Sequence, residues 1–378
     1  MIECCDSGSF PFFGDVEKFL EGAARFGVYS VDDSVEFFEK KVVECLIDKL
    51  GAGVDVPNYP QFRDMNEMFL TMMEGVERAR GGYLETKIPS AKADRNHIPE
   101  VLAIKTNSQK IYEERGEPFE VRTCVTGPYT LSSLFIHRDK GIFNRLGAAI
   151  SQIVENNVFS GKHVKVSVVA VDEPIFGLQD DPLIDFGSEG RENLRKAWES
   201  IFHKAKIKGA QTLLHLHNTA NDLFWETKTL DIIDSHVDDP IYQMKKTKDN
   251  LDSTDKFLKA NISTSDFDTL IKNRIMAILQ QKETEVALNK KIAETWTSII
   301  NRKTDPETFL EKTNIMKKRL NEIVGRFGEE RIPLAGPECG LKSFPTYECA
   351  LGCLKSVSNV VKNFEKKARS ANQEKKRE

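Results

Sequence analysis

The sequence predicts an α/β fold, a single (β/α)8 TIM barrel, on three observations. Short apolar runs rich in β-branched residues alternate about eight times with longer amphipathic stretches, as a parallel sheet joined by crossover helices requires. No linker of Pro, Gly or Ser divides the chain into halves. The apolar runs also stop at polar motifs, Asp172-Glu173-Pro174, His217, Asp234 and Cys339 among them, and a barrel puts its chemistry at the C-terminal ends of its strands. An open doubly wound sheet is the alternative.

From the N-terminus, Met1–Cys5 reads as a short strand running into the turn-rich SGSFPFFGD. Asp15–Ala24 and Val31–Leu50 have helical periodicity, the second begun by Asp32 or Asp33, because a short acidic side chain accepts from the first free N–H groups of a helix. Val54-Asp55-Val56 leads into the loop PNYPQF. Arg63–Arg80 reads as a helix with Met65, Met68, Phe69, Met72 and Met73 on one core-facing stripe. Tyr83–Ile88 is a strand, and Pro99–Arg115 a helix with proline in its first turn.

The middle is the most regular part. Strands Phe119–Val125, His163–Val171, Gln211–His217, Leu230–Asp234 and Phe257–Ile262 are separated by helices at Ile142–Asn157 and Arg191–Lys208. Phe267–Ile300 is one long helix or two stacked ones, and Pro306–Phe327 is another helix. Ile332–Ala335 then forms a strand that Gly336-Pro337 ends, leaving Cys339 on a sharp turn before a last helix, Tyr347–Phe364. The barrel is thus expected over residues 1–365, followed by Lys366–Glu378, a charge-rich tail too poor in apolar groups to fold.

Composition narrows the class. At 378 residues, 40% hydrophobic and 30% charged, the chain can bury a large core. A net charge of −4 argues against a nucleic-acid surface, which needs a concentrated basic excess. Seven cysteines at irregular spacing are not a disulfide framework. No apolar run approaches the ~20 residues of a membrane span, and MIECCDSGSF has no secretory n-region, so a cytoplasmic protein is expected with no membrane partner. Neither GxGxxG after a strand nor GxxxxGK[ST] is present, so nucleotide binding lacks its usual support. A barrel would bring Ser9, Gly127, Asp172, His217, Asp234 and Cys339 to one face.

Six motifs stand in a shared order: GSFP at Gly8–Pro11, DM at Asp64-Met65, TGPYT at Thr126–Thr130, VDEP at Val171–Pro174, HLH at His215–His217 and PECGLK at Pro337–Lys342. In that order they resemble the catalytic barrel of cobalamin-independent methionine synthase, in a short single-barrel form, within the superfamily that includes the uroporphyrinogen decarboxylases and coenzyme M methyltransferases. The resemblance implies a zinc-dependent methyltransferase of methionine biosynthesis, alkylating a thiol. It places His217, Asp234 and Cys339 as metal ligands, with Asp234 standing one methylene short of the family's glutamate. Thr219 stands where a second ligating cysteine is expected, and a hydroxyl is a poor zinc ligand; His215 or His236 could complete the sphere in its place. Asp172 and His217 take the catalytic positions. Ser9, Met65, Asp172 and Glu173 take the substrate positions, a carboxylate pairing with an ammonium and the GSFP loop holding an anion. The family's acid ahead of the DM pair is missing from NYPQFRDM. The resemblance therefore leaves three readings. The first is methyl transfer to homocysteine from a methylated corrinoid protein or a methylfolate. The second is alkylation of a coenzyme M-type thiol, and the third a non-catalytic barrel that binds a corrinoid protein.

Overall fold

A computed structural model describes residues 1–28, 32–278 and 284–375 of the chain, with side chains to residue 365. Its centre is a curled seven-stranded sheet built from β1 (Glu3–Cys4), β4 (Phe119–Thr126), β5 (Val164–Glu173), β6 (Gln211–Leu216), β7 (Ile232–Asp234), β8 (Phe257–Ser263) and β9 (Leu334–Pro337). The strand order is β1-β9-β8-β7-β6-β5-β4, and every pairing is parallel. Parallel strands covered on both faces carry near-continuous apolar runs, which is why Val168–Val171, Leu213-Leu214 and Ile232-Ile233 are all buried.

Between the two ends of this sheet, β1 and β4, runs an irregular segment rather than an eighth strand. Cys5 bridges Val56, Asn58 bridges Arg122 and Ser9 bridges Gln61, each as an isolated parallel pair. Val56 N donates to Cys4 O at 3.0 Å on one side and Tyr59 N to Arg122 O at 3.1 Å on the other. Pro57 and Pro60 lack the donors a regular ladder needs, so the segment pairs only at single points.

The two remaining strands correct the expectation for residues 63–80. The helix there spans only Met65–Thr71, and the chain then enters β2 (Met73–Ala79), which pairs antiparallel with β3 (Gly82–Ala91). Gly75, at φ +78°, sits at a bulge between Glu74 and Val76, and Gly81, at φ +96°, lies in the two-residue turn. Both conformations suit glycine, and they defeat the helical methionine stripe. Met68, Phe69, Met72 and Met73 still reach the core, from a helix, its end and a strand. The strand at Tyr83–Ile88 is therefore part of this hairpin and not a barrel strand.

The helices otherwise follow the sequence closely. Asp32 caps Asp33–Gly51 by accepting from Ser34 N and Val35 N. The 99–115 helix is two, Pro99–Thr106 and Ser108–Arg115, meeting at Asn107. Residues 267–300 form the pair Phe267–Ile278 and Glu285–Ile300, and 306–327 a 3-10 turn at Pro306–Phe309 followed by Thr313–Phe327. The last helix runs from Tyr347 to Lys375, across the expected boundary at 365, and residues 376–378 of the expected tail lie outside the described residues. No described helix is long and apolar enough to cross a membrane. All seven cysteines are free.

The tightest backbone approach in the sheet is at Gly336 of β9, where an added Cβ would lie 1.9 Å from the carbonyl oxygen of Cys5. Neither partner is a flexible side chain, so Gly336→Ala must push β9 from the segment after β1. Such overpacking costs about 1–3 kcal/mol, and a lowered denaturant midpoint for Gly336→Ala measures it; an unchanged midpoint would contradict this packing.

Candidate metal centre

Each side chain of the site is set by a strand end. His215 is on β6 and His217 follows it; alternate residues of a strand point the same way, so both turn into the sheet's concavity. Pairing in register places His215 beside Asp172 of β5 and beside Asp234 of β7. His236 comes two residues after β7 and Cys339 two after β9.

The result is a cluster of three imidazoles and a thiol, with one potential ligand atom from each of His215, His217, His236 and Cys339 all within 4.8 Å of one another. Cys339 Sγ lies 3.7 Å from His217 Nε2. Ring centroids are 4.2 Å apart for His217 and His236 and 5.3 Å for His215 and His217. Nε2 of His215 and of His236 is buried without a hydrogen-bond partner, a costly state for a polar atom unless something else satisfies it. Burial pushes the Cys339 thiol up, but the neighbouring imidazoles of His215, His217 and His236 prevail and hold it well below the usual thiol range. Burial pushes His215 down, and the adjacent Asp234 carboxylate overrides it, lifting it to about 10.

Asp234, expected as a ligand, is not among these four residues. It is fully buried behind His215, with Oδ2 3.2 Å from His215 Nδ1. Lys259 Nζ lies 3.3 Å from Oδ2, Arg122 Nη1 3.7 Å from it, and Asn261 Nδ2 donates to Oδ1 at 2.5 Å. Burial opposes its ionisation, yet Lys259, His215 and Arg122 keep its pKa well below the usual carboxylate range. One methylene shorter than glutamate, it reaches these partners and leaves the sulfur to the histidines. Thr219 is also outside the cluster: its hydroxyl and backbone N–H are bound by Asp239, the N–H at 3.0 Å.

The expected substrate residues are placed as follows. Asp172 is buried, 3.4 Å from Arg122 Nη2. Both oxygens of Glu173 are occupied, Oε1 by Tyr129 N and Trp198 Nε1 at 2.9 Å and Oε2 by Thr130 N at 2.7 Å. Glu173 therefore fixes the TGPYT turn through both of its oxygens. Met65 is half-buried against the core. Ser9 packs behind Gly340, where an added Cβ would lie 2.0 Å from Ser9 Oγ, and Ser9 O accepts from Leu341 N at 2.6 Å. A cavity of about 670 Å³ opens beside the cluster, lined by His217, His236 and Cys339; Ser9, Met65, Asp172 and Glu173 are not on its wall.

Sequence reasoning missed the residues that hold the loops in place. Glu338 accepts from Val237 N at 2.8 Å and from Ser265 N at 2.9 Å with separate oxygens, tying the loops after β7 and β8 to Cys339. Ser265 Oγ donates to Cys339 O at 2.9 Å and accepts from Cys339 N at 3.0 Å. Arg122 and Lys259 did carry a signal, since each is a charge in the middle of a strand-like run.

No protein-family model matches this chain, and no curated protein matches its sequence. Among solved structures, a B12-independent methionine synthase from Shewanella sp. W3-18-1, in complex with selenomethionine, aligns with a TM-score of 0.58 at 11% identity, over 98% of this chain and 99% of that one. The likeness shows a methionine synthase-like barrel fold. A 3-keto-D-glucoside 4-epimerase from E. coli aligns at TM-score 0.40 and 8% identity over 95% and 99% of the two chains, too weakly to argue from.

Glu338→Gln tests the loop clamp. A glutamine offers one carbonyl oxygen and must turn its NH2 towards one of the two donors, so a buried N–H loses its partner at a cost of about 1–3 kcal/mol. The expected result is a lower thermal midpoint and faster alkylation of Cys339 by iodoacetamide; unaltered alkylation would mean that the clamp does not hold the cysteine.

Proposed function

We propose that this protein is a zinc-dependent methyltransferase that moves a methyl group to a thiol, with homocysteine as acceptor and methionine as product. The observation that carries the reading is the convergence of His215, His217, His236 and Cys339 within 4.8 Å, on a fold of the methionine synthase kind. Three nitrogens and one sulfur suit zinc, and two of those nitrogens are otherwise buried and unpartnered, so the residues fit the ion. The same reading takes the segment 54–61 as the barrel's eighth position, a methylated corrinoid protein or methylfolate as methyl donor, and the cytoplasm as the location, in keeping with seven free cysteines.

Zinc, when bound, supplies a Lewis acid that keeps the acceptor sulfur as thiolate near neutral pH, well under a free-thiol pKa of about 8.5. The chain's own residues do the rest. Asp234 Oδ2 lies 3.2 Å from Nδ1 of His215, so a ring that gave up one proton to a metal would keep the other on Nδ1 and offer Nε2 to the cluster. Glu338 and Ser265 fix the backbone on either side of Cys339. In the transfer, the acceptor's S–H proton goes to solvent, a sulfur–carbon bond forms to the methyl group, and the bond from methyl to donor breaks.

Metal analysis of the purified protein should find about one zinc per chain, lost in Cys339→Ala. Asp234→Asn should retain zinc at equivalence but hold it about 10–100-fold more weakly, as an orienting partner and not a ligand does. Calorimetry in buffers of different ionisation enthalpy should show release of about one proton per thiol bound. A parent protein without metal, or thiol binding that releases no proton, would overturn the reading.

A further inference from the structure

The curled sheet forks at its C-terminal edge. β6 and β7 stay in register up to His215↔Asp234 and β8 and β9 up to Ser263↔Pro337, whereas the pairs between β7 and β8 are Ile232↔Phe257 and Ile233↔Leu258. Parallel strands are tied by evenly spaced backbone bonds, so the two halves of the sheet can part where that ladder stops. The candidate ligands are divided between the halves. His215 and His217 come from β6 and His236 from the end of β7, while Cys339 follows β9. The width of the fork therefore sets how far the sulfur stands from the nitrogens.

The side chain of Tyr242 fills the fork. It arrives from the 3-10 turn Pro240–Tyr242, in the loop after β7, and is buried. Its hydroxyl oxygen lies 2.8 Å from Lys259 O on β8 and 3.3 Å from Ser235 N, the first residue after β7. A phenol has one proton to give and two lone pairs to accept with. The proton goes to the Lys259 carbonyl, for which Ser235 O at 3.2 Å is the longer alternative; one lone pair takes the Ser235 N–H and the other faces Asn261 Nδ2 at 3.1 Å. The hydroxyl thus stands in for a rung of the ladder between β7 and β8, and holds the strands farther apart than a direct bond would. Asn261 works beside it. Its Oδ1 accepts from Lys259 Nζ at 2.7 Å, which turns the amide NH2 towards Asp234 Oδ1 and Ser235 O. Ser235 lies between Asp234, which faces His215, and His236, so fixing its backbone holds both neighbours.

We propose that Tyr242 is a positioning residue for the metal centre: its hydroxyl spans the fork and fixes the separation between the three imidazoles and the Cys339 sulfur. This rests on the metal reading above and adds to it a residue outside the four candidate ligands, one that acts on them through the backbone of Ser235.

Cobalt(II) loaded into the protein in place of zinc gives the readout, because a thiolate bound to cobalt absorbs in the near ultraviolet. The parent should show that charge-transfer band. Tyr242→Phe keeps the ring and removes only the hydroxyl; it should hold the metal about 10–100-fold more weakly, the scale of an outer partner that orients a ligand, and its band should lose intensity. Tyr59→Phe is the control. The Tyr59 hydroxyl is also buried and ties the 54–61 segment to β4, donating to Cys124 O at 3.1 Å and accepting from Gln61 Nε2 at 3.0 Å, and neither bond involves a residue of the cluster. Its loss should lower the thermal midpoint and leave band and affinity unchanged. Tyr242→Phe with the parent's band and affinity, or an equal loss in Tyr59→Phe, would overturn the assignment and leave the metal reading intact. If Tyr242→Phe does not fold, hydrogen exchange in the parent decides: coupling is reciprocal, so loading the metal should slow exchange at Ser235 N–H, and an unaltered rate overturns the assignment. A parent that takes up no cobalt would instead overturn the metal reading, and this assignment with it.

Discussion

The site depends on how one buried carboxylate is neutralised. Asp234 is the meeting point of Arg122 from β4, His215 from β6, Lys259 and Asn261 from β8, so strands far apart in sequence are tied through a single charge. Lys259 also donates to Ser7 Oγ at 2.9 Å and Pro337 O at 2.8 Å, which brings the N-terminal segment and the strand leading to Cys339 into the same network. A second buried pair, Lys49 with Asp6 at 2.8 Å, supports the chain beside it. In this network the cations Lys49, Arg122 and Lys259 each face a carboxylate, Asp6, Asp172 or Asp234, so no one of these buried charges is left without an opposite partner. Removing one partner of a buried pair leaves the other uncompensated, at about 3–5 kcal/mol. The network is thus better understood as a device that fixes geometry than as a source of stability.

That geometry changes the charge of the donor set. The ligands implied by the family resemblance, two thiolates and a carboxylate with one histidine, would bring three negative charges. With a cation bound the cluster would bring one, from Cys339, because Thr219 and Asp234 are bound elsewhere and an imidazole that ligates a metal gives up a proton and donates as a neutral ring. A cation held by it keeps more of its positive charge. It would therefore draw the proton from an incoming thiol more strongly and leave the sulfur less nucleophilic. The adjoining cavity, lined by four acids and one arginine, would offset part of that charge from a distance.

What the sequence made legible follows from how local each signal is. Helix boundaries and parallel strands depend on period and termini, and Ile142–Asn157 or β5 fall where their patterns put them. Residues 63–80 misled because a methionine stripe suits a helix, while the hairpin depends on glycines at Gly75 and Gly81 whose backbone angles only the fold reveals. His217 and Cys339 were readable as partners because motif order carries them, and they lie 3.7 Å apart. The choice between Asp234 and His215 was not readable. The two residues face each other across β6 and β7, and which of them points its donor at the sulfur depends on Lys259 and Arg122, placed by other strands.

The displaced threonine shows how such a site can be rebuilt. A hydroxyl at 219 cannot replace a thiolate, but it can be bound by Asp239, which also accepts from Ser235 and Ile241. That set of bonds closes the turn after β7, and the closed turn presents His236 to His217 at 4.2 Å between ring centroids. The change that removes one donor therefore belongs to the same hydrogen-bonded turn that positions another. Thr219, Asp239 and His236 act as one unit, and the geometry of the cluster is set by the loop more than by any single ligand.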